Sequence, residues 1–186
     1  FTGCETINNT APVDGSLAGQ NAISQWNLDG TPTYTTGGNT LNFSGFLTLI
    51  GGGNDDTFNI AADSTFNLIG GDGADTFAFT NPVVLTGSID GGLGNDTLIG
   101  DADGNVFIVT AADTGTLLPN TTGGWSNVEN LTGGSGNDTF TVSLGGSLTG
   151  AISGLDGDDT LNLSAVVGAS ATITALTSSS TVGSVS

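Results

Sequence analysis

The residues able to do chemistry in this chain are almost all carboxylates, and five of them recur at a near-constant spacing. Asp56, Asp75, Asp96, Asp138 and Asp159 each end a glycine-rich turn and precede a threonine and a large apolar residue. The segments are GGGNDDTF (51–58), GGDGADTF (70–77), GGLGNDTL (91–98), GGSGNDTF (133–140) and GLDGDDTL (154–161). The steps between the aspartates are 19, 21, 42 and 21 residues. A fixed period of this length stacks successive turns of one backbone and brings each carboxylate to the same point of its turn. Carboxylates about 4.8 Å apart repel by about 1 kcal/mol even in a water-like dielectric. A divalent cation between them turns that repulsion into attraction. Calcium takes six to eight oxygens, which carboxylates and turned-in carbonyls can supply. Glycines, free to adopt positive φ, allow consecutive carbonyls to point at one ion. Asp55, Asp72, Asp156 and Asp158, in the same turns, are expected to add ligands. The competing reading is that Gly-Asn-Asp is good turn chemistry with no ion at all. Five turns in register favour the ion.

The elements that hold these turns read as strands. Seven residues before the aspartates stand Leu49, Leu68, Ile89, Leu131 and Ile152; two after them stand Phe58, Phe77, Leu98, Phe140 and Leu161. Ile60, Phe79, Val142 and Leu163 follow at plus four, with Gly100 the exception. Apolar side chains at alternate positions mark a strand with one face buried. Thr57, Thr76, Thr97, Thr139 and Thr160 are expected to face outward in one column, where threonine's strand propensity explains them. Projecting the period outward reaches Ser180, Asp14, Thr35 and Leu117, the last two without a glycine turn. GGNTLNF (37–43) and AADTGTL (111–117) are read as the same turn slipped by a few residues, and FTGCETI (1–7) as aligned with FSGFLTL (43–49) and WSNVENL (125–131). The expected fold is all-β: a single domain, 1–186, forming a right-handed parallel β-solenoid of about nine coils of roughly 21 residues. Such a rod is roughly 43 Å long, with a core of stacked like residues and little room for a cavity.

Composition narrows the function. Lysine, arginine and histidine are absent, against sixteen Asp and two Glu, for a formal charge of −18. Nucleic acid is excluded as a partner, because phosphate binding needs Lys or Arg, and anionic membranes are disfavoured for the same reason. Such charge usually suggests disorder. Nine Phe, 36% hydrophobic residues and a strict repeat argue for a folded chain. No apolar run approaches the roughly 18–20 residues that span a bilayer. With neither an initiator Met nor a leader, the chain is expected to be a mature product or a fragment. A single cysteine, Cys4, excludes an internal disulfide.

GGDGADTF, GGLGNDTL and GGSGNDTF resemble the hemolysin-type calcium-binding (RTX) repeat, Gly-Gly-x-Gly-x-Asp-x-apolar-x. The match is looser at 51–58, where Asn54 replaces the third glycine, and at 154–161, where Leu155 replaces the second. The resemblance implies a parallel β-roll with calcium between consecutive turns, held by backbone carbonyls and by Asp56, Asp75, Asp96, Asp138 and Asp159. In that family the motif runs back to back and both edges bind. Here it comes once per coil, so one binding edge is expected, with sites at 56/75, 75/96 and 138/159 and none beside Leu117. On the other edge Asp101-Ala-Asp103-Gly-Asn105 lacks the distal Glu of an EF-hand and is read as a solvated turn.

Three function classes follow. An enzyme is disfavoured: without His, Lys or Arg, a carbohydrate-active β-helix would have only carboxylates, Tyr34 and Cys4. Ice binding, known for some calcium-dependent solenoids of this family, is the alternative. The residue after Gly-Gly forms no threonine rank, and the outward threonines adjoin an uneven row of Asn59, Ala78, Ile99, Thr141 and Asn162. The favoured reading is a secreted or cell-surface, calcium-stiffened structural protein: an adhesin stalk or an extracellular filament. Its partner would be further copies of itself, stacked head to tail or side by side, with cell-surface or matrix glycans as further partners. Joining Ser186 to Phe1 leaves 20 residues from Ser180 to Asp14, close to the internal period. The ends are therefore expected to continue into another coil.

Overall fold

The computed structural model describes residues 6–10 and 15–166. The expectations placed on Cys4, Asp14, Ser180 and the joined ends fall outside these residues. The described residues form eighteen strands and no helix, so no helix is long and apolar enough to cross a membrane. In chain order they are β1 (Thr6–Asn8), β2 (Gly15–Ala18), β3 (Ser24–Leu28), β4 (Thr33–Thr36), β5 (Asn39–Ser44), β6 (Phe46–Gly52), β7 (Asp56–Ile60), β8 (Asn67–Gly73) and β9 (Thr76–Phe79). They continue with β10 (Ile89–Gly94), β11 (Thr97–Ile99), β12 (Val106–Ala111), β13 (Thr114–Leu118), β14 (Trp125–Ser126), β15 (Asn130–Gly134), β16 (Thr139–Val142), β17 (Ile152–Leu155) and β18 (Thr160–Asn162).

Two mostly parallel sheets of nine strands result. The first runs β1-β5-β4-β3-β7-β9-β11-β15-β17 and the second β18-β16-β12-β13-β14-β10-β8-β6-β2. From β6 to β12 successive strands alternate between the sheets, and the alternation resumes from β14 to β18. The parallel registers are those of an internal repeat: Phe58 pairs with Phe77, Phe77 with Leu98, and Leu49 with Leu68. In-register strands place like residues one strand spacing apart. Trp26, Phe58 and Phe77 therefore stack nearly parallel at centroid distances of 5.6 and 5.0 Å, and Phe107 and Phe140 at 4.8 Å. Each such contact adds about 0.5–1.5 kcal/mol to the burial of the rings themselves.

The repeat lapses where the chain reverses. Thr35 lies on β4 and Leu117 on β13, and both strands are antiparallel to their two neighbours. GGNTLNF is therefore not a slipped copy. Gly37 and Gly38, at φ of 54° and 78°, form the two-residue hairpin turn that joins β4 to β5. AADTGTL likewise is the hairpin between β12 and β13, with Asp113 at φ 46°.

The second reversal changes the register of everything after it. β14 pairs with β10, so Trp125 extends the row of Leu17, Leu49, Leu68 and Ile89 in the second sheet. Leu131 and Ile152, expected in that row, lie instead in the first sheet beside Leu98. Phe140 and Leu161 pass to the second sheet beside Phe107. The single threonine column divides accordingly: Thr57, Thr76 and Thr97 continue into Asn130 in the first sheet, whereas Thr139 and Thr160 lie beside Val106 in the second. At the other end, Thr6 and Ile7 pair with Asn42 and Phe43 in the first sheet, whereas Thr48 and Leu49, their equivalents in the alignment of 1–7, lie in the second. A cleft of about 290 Å³, lined by Ile7, Leu17, Trp26, Tyr34 and Leu41 among others, opens there despite the expected solid core.

Charge is kept off the first sheet. Among the described residues its nine strands carry one charged side chain, Asp56, and that one is buried. One row crossing this sheet reads Thr40, Thr35, Gln25, Thr57, Thr76, Thr97 and Asn130.

Candidate metal sites: two rows of buried carboxylates

The turns ending at Asp56, Asp75 and Asp96 lead from the second sheet into the first, whereas those ending at Asp138 and Asp159 lead from the first into the second. Since β7, β9, β11, β15 and β17 run parallel, the two sets lie at opposite ends of those strands. The aspartates expected along one edge therefore lie along two. The 42-residue step from Asp96 to Asp138 is a crossing from one edge to the other through β12, β13 and β14, not a pair of whole periods.

Within each row the aspartates are linked through the backbone. Asp75 Oδ1 accepts the Asp56 amide at 2.7 Å, and Asp96 Oδ1 accepts the Asp75 amide at 2.8 Å. Asp56 Oδ1 accepts both the amide and the hydroxyl of Ser24, at 2.8 and 2.7 Å. On the other edge Asp138 Oδ1 takes the Asn105 amide at 2.8 Å and Asp159 Oδ1 the Asp138 amide at 2.9 Å. The pairs 56/75, 75/96 and 138/159 are therefore neighbours, as their spacing requires.

The second oxygen of these carboxylates has no donor. Asp56, Asp75, Asp96 and Asp138 are each at most 1% exposed, and their Oδ2 atoms are buried without a hydrogen-bond partner. Each Oδ2 sits against the Cα of the glycine five residues earlier, Gly51, Gly70, Gly91 or Gly133. A main-chain carbonyl from the next level crowds the same point: Gly70 against Gly51, Gly91 against Gly70, Asn127 against Gly91 and Gly154 against Gly133. No donor reaches these Oδ2 atoms, and in a chain without Lys, Arg or His a buried carboxylate oxygen of this kind needs a proton or a metal cation. Burial raises the pKa of all four carboxyls, to about 7 for Asp75 and about 6 for Asp96 and Asp138. Amide hydrogen bonds oppose this shift and neighbouring acids reinforce it.

The other expected ligands lie farther out. Asp55 is exposed and accepts the Ala74 amide at 2.8 Å, which ties two turns together. Asp72, Asp156 and Asp158 are exposed at the turn tips, and Asp159 is half-buried. Among the described residues no three or more His, Cys, Asp or Glu converge as a metal-holding group, because the acids are strung one per level. A cation here would take most of its ligands from backbone carbonyls.

Three members of the rows escaped the motif. Ser24 stands in register with Asp56 in Ser24-Gln25-Trp26, and Glu129 Oε2 accepts the Asp96 amide at 2.7 Å. Asn105 stands opposite Asp138 in GDADGNVF, which shares with GGSGNDTF only its first and last residues and has Asn in place of the acid. An acid-polar-apolar triplet at Glu129-Asn130-Leu131 was the available signal for the second. The turn at 101–105 is solvated at 102–104 but not at its two ends. Asp101, 3% exposed, accepts from the Asp103 amide at 2.9 Å, Asn105 Nδ2 at 2.9 Å and Asn120 Nδ2 at 2.6 Å. Only Asp103 and its exposed neighbours face solvent. Comparison of the chain with protein-family models, curated proteins and solved structures finds no match.

Proposed function

We propose that this chain is a right-handed β-solenoid of the hemolysin-type repeat kind, stiffened by calcium between successive turns, that serves as a secreted or cell-surface structural rod. One observation carries the reading: four buried carboxylate oxygens without donors, in a chain with no cationic side chain. Calcium would supply the positive charge and multiple oxygen coordination that these groups lack. Asp56, Asp75 and Asp96 would hold it on one edge and Asp138 with Asp159 on the other. Asp55, Asp72, Asp156 and Asp158 stand at the same turns as outer ligands. Extracellular calcium suits such turns, since modules outside the cell bind with Kd of about 10⁻⁴–10⁻³ M.

The structural role, with no catalysis, rests on the repetition itself and on where the charge lies. Acids concentrate on the turns, while the first sheet offers an uncharged face over which copies could associate side by side without like-charge repulsion. Stacking end to end, an adhesin stalk and attachment to surface glycans belong to the same reading. The row of Thr40, Thr35, Gln25, Thr57, Thr76, Thr97 and Asn130 favours a second reading, binding to ice. Thermal hysteresis in the calcium-loaded protein would select it, and its absence would leave the rod.

Calcium is expected to fold or strongly stabilise the chain, because self-repulsion opposes the metal-free state and binding energy then becomes folding energy. Circular dichroism and melting curves in calcium and in chelator test this. Unchanged β-signal and melting temperature would overturn it. Asp75→Ala should also remove more bound calcium than Asp138→Ala. Asp75 is flanked by Asp56 and Asp96, whereas Asp138 has an acid on one side and Asn105 on the other. Equal losses in the two variants would contradict the stacking.

A further inference from the structure

We infer that Asn95 and Asn137 are sites of asparagine-linked glycosylation, each carrying an oligosaccharide on its side-chain nitrogen. This rests on the proposed place of the chain outside the cell and adds a covalent modification to it. Seven asparagines stand two residues before a serine or threonine with no proline between, the acceptor pattern of glycan transfer. The fold separates them. Asn8, Asn42, Asn130 and Asn162 lie within β1, β5, β15 and β18, where the backbone is paired. Asn95, Asn120 and Asn137 lie in turns, and of these Asn120 is fully buried. Asn95 and Asn137 are exposed, at the same place in GGLGNDTL and GGSGNDTF, one on each edge.

A glycan is joined through Nδ2, so the orientation of the carboxamide decides. The Asp158 amide donates to Asn137 Oδ1 at 2.9 Å, and an N–H can face only the oxygen. At Asn95 the orientation is fixed in two steps. The Ala151 amide donates to Asn130 Oδ1 at 3.1 Å, which turns Asn130 Nδ2 towards Asn95 Oδ1, at 2.7 Å. In both asparagines the oxygen is held by the next level, and Nδ2 has no acceptor among the described residues. The contrast is with Asn120, whose Nδ2 donates to the Val83 carbonyl and to Asp101 Oδ2 at 3.2 and 2.6 Å. Asn130 Nδ2 is likewise spent, on Asn95 Oδ1 and the Asp96 carbonyl.

Transfer would join Nδ2 to the anomeric carbon of an oligosaccharide carried on a lipid pyrophosphate. The bond from that carbon to the phosphate oxygen breaks, lipid pyrophosphate leaves with the electron pair, and Nδ2 gives one of its two protons to a base of the transferase. Sugars at Asn95 and Asn137 would stand beside the first sheet, one on each edge, and leave its uncharged face open.

Recovering the chain separately from the medium, the cell surface and the cytosol of its source, followed by glycopeptide mass spectrometry, tests the inference. Sugar on Asn95 and Asn137, and none on Asn120 or Asn130, is the expected result. Chain found outside the cell with Asn95 and Asn137 bare would overturn this inference alone. Chain found only in the cytosol, and bare, would overturn the proposed location together with it. Sugar on Asn120 or Asn130 would overturn the selection by carboxamide orientation. Asn137→Gln keeps an oxygen for the Asp158 amide, so the exported variant should stay folded and lose the mass of one glycan. An unchanged glycan mass would place the sugar elsewhere and overturn the site.

Discussion

Replacing Gly70 by alanine is expected to lower stability by about 3 kcal/mol, the upper end of the usual cost of overpacking. An added Cβ would overlap Asp75 Oδ2 and the carbonyl of Gly91 and lie 2.8 Å from the Asp75 carboxyl carbon. None of these atoms is the free end of a flexible side chain. The carbonyl belongs to the neighbouring level, and the carboxylate is held by the Asp56 amide. For a chain of this size the loss corresponds to a melting temperature lower by roughly 10 °C. Gly53→Ala is the control, because its Cβ would meet only the Asn21 side chain, at 3.3 to 3.6 Å. Its melting temperature should stay close to wild type. If the two variants melt together, the packing of carboxylate against glycine is not as described. The same reasoning explains why the first glycine of each turn is needed: the space of its side chain is filled by the aspartate of its own turn.

That turn was the legible part of the sequence. The spacing of Asp56, Asp75 and Asp96 predicts their register, and the alternation around Phe58 and Phe77 predicts strands with one buried face. Those residues lie in a stretch where every level adds the same pair of strands. The switch of edge between Asp96 and Asp138 was not legible, because twice 21 equals the 42-residue step whether or not the chain reverses in between. A hairpin such as β12–β13 leaves the phase of a periodic pattern intact while moving it to the other sheet. Only pairing resolves this, as when Leu131 is found beside Leu98 and not beside Ile89. Glu129, Asn105 and Ser24 escaped for a related reason: their positions are defined by the hydrogen bonds they make across levels, not by residue type.

The metal-free protein is expected to lose stability as pH rises from about 4 to about 8, against the usual trend for an acidic protein. The buried carboxyls set the sign. In the unfolded chain they titrate at the ordinary aspartate value of 3.8, but in the fold Asp75 titrates at about 7 and Asp96 and Asp138 at about 6. A raised pKa means that the folded state holds its protons more tightly. The stabilisation is fully present below 3.8 and is lost as pH rises through 6 and 7. Three such groups, added to the self-repulsion of eighteen acids, should make the melting temperature in chelator clearly higher at pH 4.5 than at pH 8. Calcium should reverse the trend, because it competes with those protons and binds best once they have left. A chelated protein that melts highest at pH 8 would contradict the burial of these groups.

Calcium binding at pH 6, measured by calorimetry in two buffers of different ionisation enthalpy, tests the central claim most directly. If the orphaned oxygens in these rows are where the ion goes, binding must displace protons from Asp75, Asp96 and Asp138, which are partly protonated at that pH. The two apparent enthalpies should then differ by a net proton release, and the release should shrink towards pH 8. Calcium uptake with identical heats in both buffers would place the ion on the exposed acids at the turn tips, and no uptake at all would leave these rows held by protons alone.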